Sequence, residues 1–167
     1  LVGSRYEPTY YRVKVNLGCL AMKNDNHAQA VQLFHEAARL EPDQPEAYYN
    51  LGLAYRATGQ LNAARQAYQR AADCDPLHLP SRYNLGLMLA QADDLDGAIS
   101  QFQAAIHIKP DFADAYFNIG TARQAQNRMA DARRHFERVI ELQPGHSLAR
   151  ERLQQIRSAE KDPDRNR

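Results

Sequence analysis

The sequence predicts an all-α fold, a solenoid of antiparallel helix pairs, on three observations. Prolines stand at Pro8, Pro42, Pro76, Pro110 and Pro144, each 34 residues after the last. In the same phase run Leu17-Gly18, Leu51-Gly52, Leu85-Gly86 and Ile119-Gly120, then Ala30, Ala64, Ala98 and Ala132, and four residues beyond each alanine Phe34, Tyr68, Phe102 and Phe136. Within each period, two stretches of about 13 residues carry apolar side chains at helical spacing, as in Ala47, Leu51, Ala54 and Tyr55, then Leu61, Ala64, Tyr68 and Ala71. A fixed period of this length is the mark of a repeat architecture.

Each element has a local cause. The glycine and alanine columns carry little or no side chain, so the two helices of a hairpin can approach closely where they cross. Asp25, Gly59, Asp93 and Asn127 share one phase between the two helices, and these residue types tolerate the left-handed conformation that ends a helix. The proline then stops the second helix, because it cannot continue one from within. One hairpin cannot bury its apolar face alone, so stacked neighbours build the core and a terminal unit needs a polar outer side.

The expected organisation is four hairpins at 11–44, 45–78, 79–112 and 113–146, then a capping helix at 147–157 and a disordered tail at 158–167. In the cap, Ser147 is the expected N-cap, Ala149, Leu153 and Ile156 form a narrow apolar stripe, and Gln154 replaces the glycine. The charged tail contains Pro163. Glu7-Pro8 repeats the phase of Glu41-Pro42 and Lys109-Pro110, so residues 1–10 are expected to be the end of a preceding repeat or an unrelated remnant.

These columns resemble the tetratricopeptide repeat family, whose 34-residue pattern is a large residue, Leu-Gly, Tyr, then Ala, Phe, Ala and Pro. The likeness covers residues 11–144. Departures are Lys14 and Arg82, where Tyr48 and Tyr116 conform, and Ala21, Leu89 and Arg123, where only Tyr55 conforms. The resemblance implies a right-handed superhelix whose first helices line a concave groove at positions two, five, six, nine, twelve and thirteen of each repeat. Position six is then Asn16, Asn50, Asn84 and Asn118; position five is Val15, Tyr49, Tyr83 and Phe117; position nine is Cys19, Leu53, Leu87 and Thr121.

An asparagine amide offers both a donor and an acceptor, so it can pair with a peptide backbone without reading its side chains. The column is similar to the asparagine ladder on the repeat domain of O-linked N-acetylglucosamine transferase. The implied function is a scaffold or adaptor that holds an extended protein segment, with Tyr49, Tyr83, Phe117, Leu53 and Leu87 packing beside the amides. Two alternatives are a substrate-recruiting arm of a larger enzyme such as a glycosyltransferase, and a structural homo-oligomer joined through exposed array ends near Tyr10, Tyr11 and Val13. The carboxylate clamp that holds chaperone C-termini is not expected. Val15, Cys19, Asn50, Pro80 and Asn84 occupy its first window and Tyr49, Leu53, Asn84, Asp114 and Asn118 its second, and each lacks the lysines and arginine.

Composition excludes other classes. Before Pro110 stand 10 basic and 11 acidic residues and after it 11 and 9, so neither half carries the basic face that neutralises nucleic-acid phosphates. Cys19 and Cys74 form no paired motif, and no apolar run approaches the roughly 20 residues that span a bilayer. The compartment stays open between cytoplasm and bacterial periplasm. None of His27, His35, His78, His107, His135 and His146 stands in a zincin-type pair, so no metal is expected, nor any cofactor. Cys74 reads as a buried hydrophobe, and the Asp93, Asp94, Asp96 and Arg133, Arg134, Arg138 clusters read as solvated faces. Without a phosphate loop, nucleophile elbow or carboxylate pair, the reading is a non-enzyme.

Overall fold

The computed structural model describes residues 8–161. They form α1 (Pro8–Lys23), α2 (His27–Leu40), α3 (Pro45–Ala57), α4 (Leu61–Cys74), α5 (Leu79–Gln91), α6 (Leu95–Ile108), α7 (Ala113–Ala125), α8 (Met129–Leu142) and α9 (Ser147–Lys161). No strand occurs among the described residues. The chain divides into two compact units, one ending at Leu85 and one starting at Gly86, so the division falls inside α5. In the first unit α1 packs on α2, α2 on α3 and α3 on α4; in the second, α6 packs on α7, α7 on α8 and α8 on α9.

The turns between paired helices follow the sequence closely. Asp25, Asp93 and Asn127 adopt φ of 56°, 62° and 59°, and Gly59 adopts 75°. A left-handed residue there reverses the chain after the first helix, which is why short polar residues or glycine hold that column. Asn26 and Asp94 then cap α2 and α6 by accepting hydrogen bonds from the backbone N–H groups of Gln29 and Gly97.

The glycine column has a definite partner. A Cβ built at Gly18, Gly52, Gly86 or Gly120 would collide with the ring of Phe34, Tyr68, Phe102 or Phe136 respectively. Each ring is buried, as are Ala30, Ala64, Ala98 and Ala132 four residues before it. The aromatic of the second helix therefore seats against the backbone of the first, and glycine is what leaves room for it.

Positions four and twenty-six also pair across three hairpins, with different chemistry in different repeats. Lys14 Nζ lies 2.6 Å from Glu36 Oε2. The guanidinium of Arg70 lies 5.5 Å from the centre of the Tyr48 ring, and that of Arg138 lies 5.9 Å from Tyr116. Lys14, a departure from the aromatic column, is thus matched by a carboxylate where its aromatic counterparts meet arginine.

Both ends differ from expectation. Residues 8–10 form the first turn of α1, with Pro8 at a helix start, where its missing N–H has no partner to lose; residues 1–7 lie outside the described residues. Helix α9 runs through Lys161, so residues 158–161, expected in the tail, continue the cap, and 162–167 lie outside the described residues. Ser158, Ala159, Glu160 and Lys161 include no helix breaker. Ser147 is the first residue of α9, and the cap is made by His146 instead, whose ring Nδ1 accepts from Ala149 N at 3.2 Å.

Candidate peptide-binding surface

The first helices carry the residues expected to bind. In the first unit Asn16 on α1 is exposed, whereas Asn50 on α3 and Asn84 on α5 are half-buried. Asn16 lines a recess of about 290 Å³ together with Arg12, Val15 and Glu46. The recess lining includes an amide, a guanidinium and a carboxylate, which together offer hydrogen-bond donors and acceptors. Tyr49 and Leu53 on α3 are half-buried, as is Tyr83 on α5.

The three amides of this unit are not equivalent. Asn84 is engaged within the chain: its Nδ2 donates to the Pro80 carbonyl at 2.8 Å, and its Oδ1 accepts from Arg56 Nη1 at 3.3 Å. Asn16 and Asn50 make no side-chain hydrogen bond to another described residue. Val15 borders the Asn16 recess but is itself buried, packed in the core cluster with Tyr11, Phe34 and Leu51. Its counterparts Tyr49, Tyr83 and Phe117 are half-buried.

In the second unit Leu87, Phe117 and Asn118 are half-buried. Phe117 stacks on His146 with ring centres 4.9 Å apart and sits 5.5 Å from Phe136. Thr121 donates back to the Phe117 carbonyl at 3.0 Å, as a hydroxyl in a helix commonly does.

The histidines at the last repeat position are the residues that sequence reasoning missed. His78 meets Tyr49 edge-on at 5.3 Å, and its Nδ1 lies 2.7 Å from Ser81 Oγ and accepts from Ser81 N at 3.3 Å. His78 and His146 therefore do the same two things, capping the next first helix and backing the position-five aromatic. Their signal was a column, Gln44, His78, Phe112 and His146, that immediately precedes each first helix. Arg12, Glu46 and Arg56 were likewise legible only at positions two and twelve.

Burial lowers the pKa of His78 from its ordinary 6.5, against the opposing pull of Asp75 and Glu46. Burial also lowers that of His135, helped by Arg123 and Arg134 and opposed by Asp131. As pH falls through 6.5, the unfolded chain takes up these protons before the folded one. Stability is therefore full above that pH and lost as pH drops through the folded values. Urea unfolding at pH 7.5 and pH 5 should show this loss, and His78→Asn with His135→Gln, which keeps a cap acceptor but removes both titrations, should flatten it.

Other candidate chemistry resolves into structure. The α8 arginines are ion-paired along a solvated face: Arg134 lies 3.8 Å from Asp131, Arg133 lies 4.0 Å from Glu137, and Arg138 lies 2.7 Å from Glu141. Cys74, expected to be buried, is half-buried, with its Sγ 3.6 Å from the Pro42 carbonyl. Cys19 is exposed, and partial burial pushes its thiol up from the ordinary value, away from the reactive thiolate. No group of metal-ligating side chains and no helix long and apolar enough to cross a membrane is found among the described residues.

The fold and its first-helix surface define a class, an all-α array of helical hairpins. Family models described as Tetratricopeptide repeat match residues 15–78 and 113–146, and one described as TPR repeat matches 86–127. The chain belongs to the tetratricopeptide repeat family, as its glycine, alanine and aromatic columns implied.

Solved structures agree on the fold. MamA is 28% identical with a TM-score of 0.77, over 83% of this chain and 81% of that one. PilF of Pseudomonas aeruginosa, at 17% identity and a TM-score of 0.77 over 92% of this chain and 70% of its own, shows the fold alone. The first TPR of Spaghetti (RPAP3), bound to the HSP90 peptide SRMEEVD, is 25% identical with a TM-score of 0.65 over 70% of this chain and 92% of that one. The sequence matches no curated protein.

Proposed function

We propose that this chain is a non-catalytic protein-interaction scaffold whose first-helix faces hold an extended segment of a partner protein. The observation that carries this reading is the pair of amides with no side-chain hydrogen bond among the described residues, Asn16 in its recess with Arg12 and Glu46, and Asn50 on α3 beside Tyr49 in sequence. Each amide can exchange water for one or two backbone hydrogen bonds, a net gain of about 1 kcal/mol per bond. The half-buried aromatics add apolar contact at low entropic cost, since a tyrosine has only two torsions to fix.

Asn84 takes part as a positioning residue, holding Arg56 and the start of α5. Backbone pairing of this kind is tolerant of sequence, so the partner segment is recognised by being extended and by apolar side chains at alternate positions.

The test is an array of unrelated extended peptides probed with the wild-type chain, Asn16→Ala/Asn50→Ala and Asn84→Ala, each checked for equal helicity. The double variant is expected to lose about tenfold in affinity across all bound sequences, and Asn84→Ala less, because that amide is already engaged. A double variant that binds as the wild type does would sink the reading. The peptide SRMEEVD serves as a negative arm. Val15, Cys19, Pro80 and Asn84 stand where a carboxylate clamp requires its other groups, so no selective binding of this acidic tail is expected.

A further inference from the structure

Helix α1 carries an apolar stripe left open to solvent: Tyr10, Val13, Leu17 and Leu20 are 61%, 44%, 45% and 53% exposed. Their spacing of three, four and three residues sets them on one helical face. Val13, Leu17 and Leu20 hold repeat positions three, seven and ten. On α3 those positions are Ala47, Leu51 and Ala54, buried in one cluster with Ala37 and Ala38 of α2. On α9 they are Ala149, Leu153 and Ile156, buried with Val139 of α8. On α7 they are Ala115, Ile119 and Ala122, also buried, on a helix that packs against α6. The α1 stripe is therefore continuous in kind with the surface that receives the second helix of a hairpin elsewhere in the array.

The charges around it narrow the occupant. Helix α1 contains Arg12, Lys14 and Lys23 and no acidic residue. At the Tyr10 end, a recess of about 320 Å³ is lined by Tyr10, Lys14, Glu36, Arg39 and Leu40, and its one carboxylate is held by Lys14 at 2.6 Å. We propose that this face docks an amphipathic α-helix of a partner protein, laid on α1 as α2 lies on α3, with carboxylates flanking its apolar side.

A second copy of the chain fits less well. It would set one basic helix against another, and four side chains fall far short of the roughly 20–30 residues a side of a stable interface. A single helix matches the stripe in length and width. This surface adjoins Asn16, which stands three residues after Val13 and four before Leu20 on the same helix, so Asn50→Ala on α3 is the variant that tells the two readings apart.

The test uses two side-chain-stapled, fluorescent peptides and the full chain. One has the sequence of residues 129–142, the helix that covers the same positions on α9; the other is that sequence with Arg133→Glu and Arg134→Glu. Anisotropy should show the acidic peptide binding several-fold tighter than its parent at low salt, with the gap closing as salt rises. Leu17→Asp or Leu20→Gln, each checked for unchanged helicity, should weaken it by about tenfold, and Asn50→Ala should leave it unchanged.

Binding of neither peptide, or equal binding to the stripe variants, would overturn the proposal. So would sedimentation equilibrium showing a dimer that Leu17→Asp disperses, which would make a second copy the occupant. Binding that appears only after removal of residues 1–7 would assign the face to the chain's own leading segment.

Discussion

Gly52→Ala is expected to destabilise the chain by about 2–3 kcal/mol, the cost of overpacking a filled core site. The sign is the informative part, because glycine to alanine inside a helix ordinarily gains about 1 kcal/mol. Here the new Cβ would stand 2.6 and 2.8 Å from Cδ1 and Cζ of the Tyr68 ring, closer than real Cβ atoms come to any neighbour. The ring is fully buried, so it cannot swing out into solvent without leaving the core. Urea denaturation of the single variants and of Gly52→Ala/Tyr68→Leu tests the mechanism. The smaller, flexible leucine should recover a large part of the alanine penalty, giving a favourable coupling between the two sites. A Gly52→Ala chain at least as stable as the wild type would mean that the hairpin crossing is looser than the contact implies.

Tyr68→Phe is expected to stabilise the chain by about 1–2 kcal/mol, since an unsatisfied buried hydroxyl costs its desolvation. The Tyr68 hydroxyl is buried and without a hydrogen-bond partner among the described residues. Burial pushes its pKa up to about 12, so the hydroxyl is neutral at neutral pH. The equivalent residues Phe34, Phe102 and Phe136 carry no hydroxyl and are buried in the same way, so the site accepts phenylalanine without repacking. A melting temperature that rises for Tyr68→Phe while peptide binding stays constant would fit a hydroxyl with no function. A fall would show that the oxygen has a partner in solution.

The features legible in the sequence are those that a backbone imposes locally. A left-handed residue at Asp25, Gly59, Asp93 and Asn127, and a missing side chain at Gly18, Gly52, Gly86 and Gly120, are demands that few residue types meet, so they print as columns. What stayed hidden depends on neighbours. Val13 and Leu17 match the apolar pattern of Ala47 and Leu51, yet one pair is open and the other buried, because burial is decided by whatever packs on the helix rather than by the helix itself. The His78 and His146 caps were hidden because imidazole nitrogen is a rare cap, and its accepting role depends on the tautomer. The asparagine column predicted four similar rungs. Asn84 is set apart by Arg56, a partner 28 residues away.

Within each unit the main helix contacts join elements adjacent along the chain, α1 with α2, α2 with α3, α6 with α7, and so on to α9. Loop-closure entropy grows with the length of chain enclosed, so such contacts form at small entropic expense and topologies built from them fold quickly. A nascent chain leaving the ribosome can close α1 on α2 before α3 has been synthesised, and each later helix meets a neighbour already in place. Apart from the α1 stripe, assembly in order of synthesis leaves unpaired only the face of the newest helix, which limits the interval in which aggregation competes with folding.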